Sequence, residues 1–142
     1  MEMTLHPSGA TRRRSTNVAR SEGLLAGALV LVLWAAGCMP SALFTFLVAA
    51  AVLEEIVFRA GLQTQLMRRF SMRSANVLTA LAFAVAHLLV RPSLLSALTF
   101  FPAMAIGYLF ERQRRVLPCI ALHAAFNAAF NATWLALFGF TA

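Results

Sequence analysis

Five ionisable side chains lie inside long apolar segments of this sequence: Glu54, Glu55, Arg59, His87 and His123. A charged group at the centre of a bilayer costs at least about 2.5–3.5 kcal/mol on insertion scales, so such residues normally face the interior of a helix bundle and serve a function. Carboxylates and histidines are also the side chains that activate water or bind a metal ion. Their presence predicts a site for hydrolysis within a membrane.

The spacing of the polar residues assigns them to helix faces. Glu55 and Arg59 are four positions apart, so they share a face of an α-helix and can form an ion pair. Glu54 lies about 100° around the same helix and points elsewhere. His123 and Asn127 repeat the four-residue spacing and form a second polar patch on another helix. Glu54 therefore has no partner on its own helix and needs one from another segment.

Two chemistries fit these residue types. A carboxylate beside a neutral histidine can act as a general base on water, and a second histidine with an asparagine amide can donate hydrogen bonds to a developing oxyanion. Together these are the groups needed to hydrolyse a peptide bond without a covalent intermediate. Two histidines and a glutamate can also hold zinc with one open coordination position.

Composition excludes several other classes of protein. The chain is 61% hydrophobic and 12% charged, whereas a soluble domain is about half apolar and a quarter charged. The net charge is +7, but the arginines cluster between apolar runs, so we expect no nucleic-acid partner. Because the sequence has no Asp, an aspartyl dyad and an Asp-containing triad are excluded. It also lacks the HExxH and Gly-x-Ser-x-Gly motifs.

The apolar segments predict an all-α fold, a polytopic membrane helix bundle of about five transmembrane helices. They span residues 23–39, 41–67, 74–90, 93–110 and 116–140, and about 17–25 residues suffice to cross a bilayer. We divide the chain into an Arg-rich tail at 1–20, a first transmembrane helix at 21–40 and a four-helix catalytic core at 41–142. Pro102 lies inside the fourth segment, where we expect a kink.

Arginine placement predicts the orientation of the chain in the membrane. Arginines are concentrated before the first segment, at 68–73 and at 112–115, whereas the other two connections hold only Arg91. The positive-inside rule therefore places the N-terminus in the cytoplasm and the C-terminus outside. The first segment also has the pattern of a secretory signal that ends at Cys38, and its removal would leave the orientation of the remaining helices unchanged.

Three motifs occur in order, each on its own predicted membrane helix. They are "EEIVFR" at 54–59, "FAVAH" at 83–87 and "HAAFN" at 123–127. Together they resemble the CAAX protease and bacteriocin-processing family, also called CPBP or Abi, of intramembrane proteases. The resemblance covers about residues 41–131.

The resemblance implies a role for each catalytic residue. Glu54 would be the general base that activates water, together with His87. His123 and Asn127 would form the oxyanion hole. This is the glutamic mechanism by which the family is now usually described, and it implies no cofactor.

Three further residues have supporting roles under the same resemblance. Glu55 and Arg59 would brace the site, or Arg59 would hold a substrate carboxylate. Phe83 would shape the site as an apolar wall. Asn131, one turn beyond the second polar patch, is interpreted as a packing residue.

The function implied is an intramembrane endopeptidase of a bacterial plasma membrane. Its partners would be membrane lipids and a membrane-anchored protein or peptide substrate, and compact members of the family include relatives that process C-terminal sorting tails. One alternative is a zinc-dependent metalloprotease with Glu54, His87 and His123 as ligands. The other is a non-enzymatic immunity or scaffold protein of the membrane.

Overall fold

The computed structural model describes residues 40–138 and, before them, Gly27, Ala28, Val32, Trp34 and Gly37, which are all helical. Its four long helices are α1, Ser41–Leu66; α2, Met72–Val90; α3, Leu94–Gln113; and α4, Val116–Phe138. Each has a stretch long and apolar enough to cross a membrane. The protein is therefore a multi-pass membrane protein built as a helical bundle, as the apolar segments predicted. The tail at 1–20, most of the predicted first helix and Cys38 lie outside the described residues.

Two helix ends differ from the predicted segments by a few residues. α2 begins at Met72 because Ser71 caps it, and the Ser71 Oγ accepts a hydrogen bond of 3.1 Å from the backbone N–H of Ser74. α3 continues to Gln113 and ends at Arg114, whose φ of 54° is in the left-handed region. Helix ends depend on capping and backbone conformation, so polar residues extend these helices beyond their apolar runs.

The geometry of α1 changes at the charged residues. The helix is α-helical over Ser41–Glu55, π-helical over Ile56–Gln63 and α-helical again over Thr64–Leu66. A π-helix is rare and is frequently found at functional sites. It also has more residues per turn than an α-helix, so side chains four positions apart stay close to one line. Hydrophobic periodicity did not predict this segment.

α3 is interrupted one turn before the position where a kink was expected. The helix consists of Leu94–Leu98 and Phe100–Gln113, with Thr99 between them. The Thr99 hydroxyl donates a hydrogen bond of 2.6 Å to the carbonyl of Ser96 in the turn that ends the first piece. Pro102 lies in the first turn of the second piece, where its missing N–H removes no helical hydrogen bond.

The four helices pack as two pairs that meet around the π-helical segment. Residues Ser41–Glu55 of α1 lie against α4, and α2 lies against α3. α3 also contacts α4, and Ile56–Gln63 contacts each of the other three helices. Ala128 and Ala132 pack against α1. Small side chains of this kind allow membrane helices to approach closely.

The interior is polar where the two pairs meet, whereas much of the outer surface is apolar. Leu89 and Val90 are 81% and 80% exposed, as expected for side chains that contact lipid. The buried polar residues are Glu55, Arg59, Gln63, Asn76, Thr79, Ser96 and His123. A buried polar group is costly without a hydrogen bond. Glu55, Arg59, Gln63 and His123 bond to one another, so this part of the interior is where α1 and α4 meet through polar contacts.

Candidate active site

Two adjacent glutamates occupy different environments at the junction between the α-helical and π-helical parts of α1. The side chain of Glu55 is fully buried, whereas that of Glu54 is 31% exposed. Consecutive residues on a helix point about 100° apart, which separates the two carboxylates. Glu55 therefore faces the interior of the bundle, and Glu54 retains access from outside it.

Glu55 is held by hydrogen bonds that run along its own helix through Arg59 to Gln63. The Arg59 Nε donates a hydrogen bond of 3.0 Å to Glu55 Oε2, which is the ion pair that the spacing predicted. Arg59 Nη1 donates to Gln63 Oε1 at 3.0 Å, and Arg59 Nη2 donates to the carbonyl of Ala103 on α3 at 3.1 Å. Since Arg59 is fully buried and engaged at all three nitrogens, its geometry suits a bracing role better than contact with a substrate.

His123 on α4 lies between the two carboxylates of α1. Its Nδ1 is 2.8 Å from Glu55 Oε1, and its Nε2 is 3.5 Å from Glu54 Oε2. The Glu55 carboxylate, which already accepts from Arg59, is an acceptor for the His123 Nδ1–H. That hydrogen bond turns the Nε2 atom toward Glu54.

His87 approaches Glu54 from α2. Its Nδ1 is 3.0 Å from the backbone carbonyl of Phe83, and because a carbonyl only accepts, Nδ1 carries the proton. The Nε2 of His87 is 4.0 Å from Glu54 Oε2, which is too long for a direct hydrogen bond. In the neutral histidine, the Nε2 lone pair therefore faces the Glu54 carboxylate across a gap.

The Glu54 carboxylate is the unsatisfied group of this cluster. Its Oε2 atom is buried and has no hydrogen-bond partner among the described residues, although it faces the Nε2 atoms of His123 and His87. Buried polar atoms in native proteins nearly always have a partner, and an exception calls for a functional explanation. A general base that takes a proton from a substrate water needs an available oxygen of this kind.

Aromatic side chains enclose the same cluster. Phe83 stacks on His87 with ring centroids 4.3 Å apart, and its ring is 5.7 Å from that of His123 in an edge arrangement. Phe58 lies 4.9 Å from Phe83. These rings form an apolar wall beside both imidazoles.

Asn127 lies one turn beyond His123 but is not joined to the cluster. Its Nδ2 donates a long hydrogen bond of 3.5 Å to the carbonyl of Leu47 on α1. Asn131 Nδ2 donates to the backbone carbonyl of Asn127 at 2.8 Å. The side-chain amide of Asn127 is thus weakly held, whereas Asn131 bonds within its own helix, in keeping with a packing role.

The structure brings together six of the residues singled out in the sequence and adds others that the sequence analysis missed. Those that meet are Glu54, Glu55, Arg59, Phe83, His87 and His123. Gln63 was missed, although its position four residues after Arg59 is visible in the sequence. Asn76 and Gly107 were missed because they become important only where α2 and α3 touch α1. Within the part of the chain that the structure describes, no cluster of three or more His, Cys, Asp or Glu is arranged to hold a metal ion.

Comparison with known proteins gives one family. The model of the Rce1-like family, described as type II CAAX prenyl endopeptidases, matches residues 30–129. This range contains all three motifs and the whole cluster around Glu54. No curated protein matches the chain, and no solved structure matches it.

Proposed function

Because this chain belongs to the Rce1-like family of type II CAAX prenyl endopeptidases, we propose that it cleaves membrane-associated substrates by a glutamic mechanism in which Glu54 activates water. The observation that carries the proposal is the Glu54 Oε2 atom, which is buried, unpartnered among the described residues and faced by two histidine Nε2 atoms. A carboxylate and an imidazole that converge on one point are suited to bind and deprotonate a water molecule.

In the proposed first step, water placed beside Glu54 and His87 attacks the carbonyl carbon of the scissile bond. The Glu54 carboxylate takes a proton from this water as the new C–O bond forms, and the carbonyl oxygen becomes an oxyanion. In the second step the C–N bond breaks, and Glu54 returns the proton to the leaving amine nitrogen. The immediate products are a carboxylic acid and an amine, the acid then gives its proton to the amine to leave a carboxylate and an ammonium group, and Glu54 is ready for another turnover.

His123 and Asn127 are the proposed donors to the oxyanion. To donate from Nε2 while Nδ1–H bonds to Glu55, His123 must carry a proton on each ring nitrogen, and the Glu55 carboxylate accepts the Nδ1 proton at 2.8 Å. Among the described residues, the Asn127 amide donates one long hydrogen bond of 3.5 Å, to the Leu47 carbonyl, so it can rotate toward the oxyanion at little cost. Donors aimed at the charge that develops in the transition state contribute strongly in a site with little water.

The depth of the site supports a proposal for the class of substrate. Glu54, His87 and His123 all lie within helices that can span a membrane, so a scissile bond must be carried to that depth by a lipid anchor or an apolar segment. We propose that the substrate is a membrane-anchored protein cleaved near its C-terminus, and that a bacterial sorting tail is one form of it. A bacterial plasma membrane, with the N-terminus cytoplasmic, is the proposed location.

The test uses two fluorescent reporters and protein purified in detergent. The prenyl reporter is an internally quenched peptide that ends in a farnesylated cysteine followed by two aliphatic residues and a terminal residue. The tail reporter carries the fluorophore and quencher on either side of the junction between a polar segment and an apolar C-terminal tail. We expect the wild-type protein to cleave at least one of them and Glu54→Gln to reduce kcat by about 10²–10⁴-fold.

Glu111→Gln is the matched control, because Glu111 lies at the far end of α3 beside Arg112 and Arg114. It should cleave at the wild-type rate. Equal cleavage by wild-type protein and Glu54→Gln would exclude Glu54 as the base, and a biological effect that survives Glu54→Gln would favour an immunity or scaffold role.

A further inference from the structure

We propose that Gln63 is a positioning residue of this site, which acts through Arg59 and Glu55 to hold His123 in one place with its Nδ1 atom protonated. The same contacts tie His123 to the backbone of α3. The inference rests on the proposed function, since it concerns how the oxyanion donor is held. Gln63 touches none of the proposed reacting groups, and it is two turns away from Glu55 along α1.

Gln63 makes two hydrogen bonds from a fully buried position. Its Oε1 accepts from Arg59 Nη1 at 3.0 Å, and its Nε2 donates to the carbonyl of Gly107 on α3 at 3.2 Å. Only a side chain with both an acceptor and a donor on its end satisfies both partners. A carboxylate would face the Gly107 carbonyl without a proton, and a thioether would leave both partners without a strong hydrogen bond.

The group that links Gln63 to Glu55 is the guanidinium of Arg59. Its planar nitrogens are held on three sides, by Glu55, by Gln63 and by the carbonyl of Ala103. With all three in place the guanidinium cannot rotate about its own axis. Loss of Gln63 removes one of these restraints and leaves Nη1 buried without its acceptor, so Arg59 and the carboxylate bonded to it gain freedom.

Glu55 transmits the restraint to His123. One of its oxygens accepts from Arg59 and the other from the His123 Nδ1–H, so both are used. The carboxylate therefore cannot turn without breaking one of the two bonds. Fixing Nδ1 as a donor also fixes the direction of Nε2, which points toward Glu54 at 3.5 Å.

The contribution of α3 to this arrangement comes from its backbone. Carbonyls one turn apart, those of Ala103 and Gly107, accept from Arg59 and Gln63. The absence of a side chain at Gly107 lets Asn76 and Arg59 lie close to the backbone of α3, because a Cβ at Gly107 would overlap the Asn76 amide and lie 3.1 Å from Arg59 Nη1. α3 provides none of the proposed catalytic residues. Its backbone carbonyls hold Arg59 and Gln63 in place, and through them Glu55 and His123.

The test compares Gln63→Met with Gln65→Met on whichever reporter the wild-type protein cleaves. Methionine has nearly the shape of glutamine but lacks its donor and its carbonyl acceptor. Gln65 is an exposed residue on the same helix and serves as the matched control. Since a misplacement of ~1 Å can cost about 100-fold in rate, we expect Gln63→Met to lower kcat by about 10-fold or more. KM should stay near its wild-type value, and Gln65→Met should match wild type in both.

A double-mutant cycle distinguishes positioning from general loss of structure. Arg59→Lys keeps a charge near Glu55 but cannot reach Gln63 and Ala103 at the same time. If Gln63 acts through Arg59, adding Gln63→Met to Arg59→Lys lowers kcat no further. Independent effects that multiply, or a wild-type kcat in Gln63→Met, would overturn the proposal.

A second measurement does not depend on activity. Nitrogen-15 NMR of histidine-labelled protein reports the protonation of each ring nitrogen, and His123 is assigned from the signal lost in His123→Gln. The wild-type protein should show His123 in one form protonated at Nδ1, and Gln63→Met should show a mixture or a shifted signal. Unchanged His123 signals would refute the inference. Failure of the wild-type protein to cleave either reporter would instead count against the proposed function and leave this measurement to decide on Gln63.

Discussion

The Nδ1 atom of His123 on α4 lies 2.8 Å from Oε1 of Glu55 on α1. This contact joins residues that are 68 positions apart in the sequence and makes Glu55 part of the site as well as a partner of Arg59. The ion pair with Arg59 makes the buried charge of Glu55 tolerable, and the contact with His123 places that charge beside a proposed oxyanion donor.

Replacing Glu55 with glutamine should lower kcat by up to about 100-fold, because an amide is a weaker acceptor for the His123 Nδ1–H than a carboxylate and leaves the ring less well placed. KM should change little, since Glu55 is fully buried and does not reach a substrate. Steady-state cleavage of the reporter, expressed per mole of folded protein, measures this. A Glu55→Gln variant that accumulates normally and cleaves at the wild-type rate would show that the contact is only structural.

Asn127 and Asn131 form a matched pair for testing the oxyanion hole. Asn127→Ala should reduce kcat by about 10²–10³-fold, the loss typical when one oxyanion donor is removed. Asn131→Ala should have little effect, because its amide bonds within α4 and points to no reacting group. If the two variants lose activity equally, Asn127 acts through helix packing and the oxyanion hole has another donor.

Removal of metal ions should leave the enzyme active. The proposed mechanism uses Glu54, His87 and His123 as a base and as hydrogen-bonding groups, and it contains no step that needs zinc. Cleavage of the reporter is measured after prolonged treatment with a chelator, and the metal content of the same sample is determined by elemental analysis. Activity that disappears on chelation and returns with added zinc would instead establish the metalloprotease mechanism.

Gly107→Ala should destabilise the bundle by about 1–3 kcal/mol, the usual cost of overpacking, because the new methyl group meets the Asn76 amide in the buried polar core. Gly61→Ala is the control. A Cβ at Gly61 meets only the Ile56 carbonyl oxygen at an ordinary 3.6 Å, so the substitution should cause no loss of stability. Thermal unfolding in detergent compares the melting temperatures of the two variants. Equal melting temperatures would show that the helices around Gly107 can move apart to accommodate a methyl group.

Fusion reporters should reveal the orientation that the arginines predict. A phosphatase that is active only outside the cytoplasm should be active when fused after residue 142. It should be inactive when fused after residue 115, in the Arg-rich connection between α3 and α4. The reverse pattern would show that the arginine distribution does not set the orientation of this chain.

The sequence determined the elements and the local pairs. Apolar runs of sufficient length predicted the membrane helices, because a spanning segment must be long and apolar wherever it packs. The ion pair of Glu55 and Arg59 was also predictable, since it depends only on helical spacing. His87 was expected to be a partner of Glu54 and lies 4.0 Å from it.

Tertiary structure alone decided which groups from different helices meet. His123 lies closer to Glu54 than His87 does and also bonds to Glu55, and no helical spacing encodes such contacts. They depend on how far each helix is rotated and how deep it lies, which is set by packing against its neighbours. The π-helical segment of α1 and the close approach at Gly107 contribute to that rotation and depth, because a wider turn redirects side chains and a missing Cβ lets helices touch. Gln63 is prominent for the same reason: its spacing could be seen in the sequence, but its acceptor on α3 could be found only in the fold.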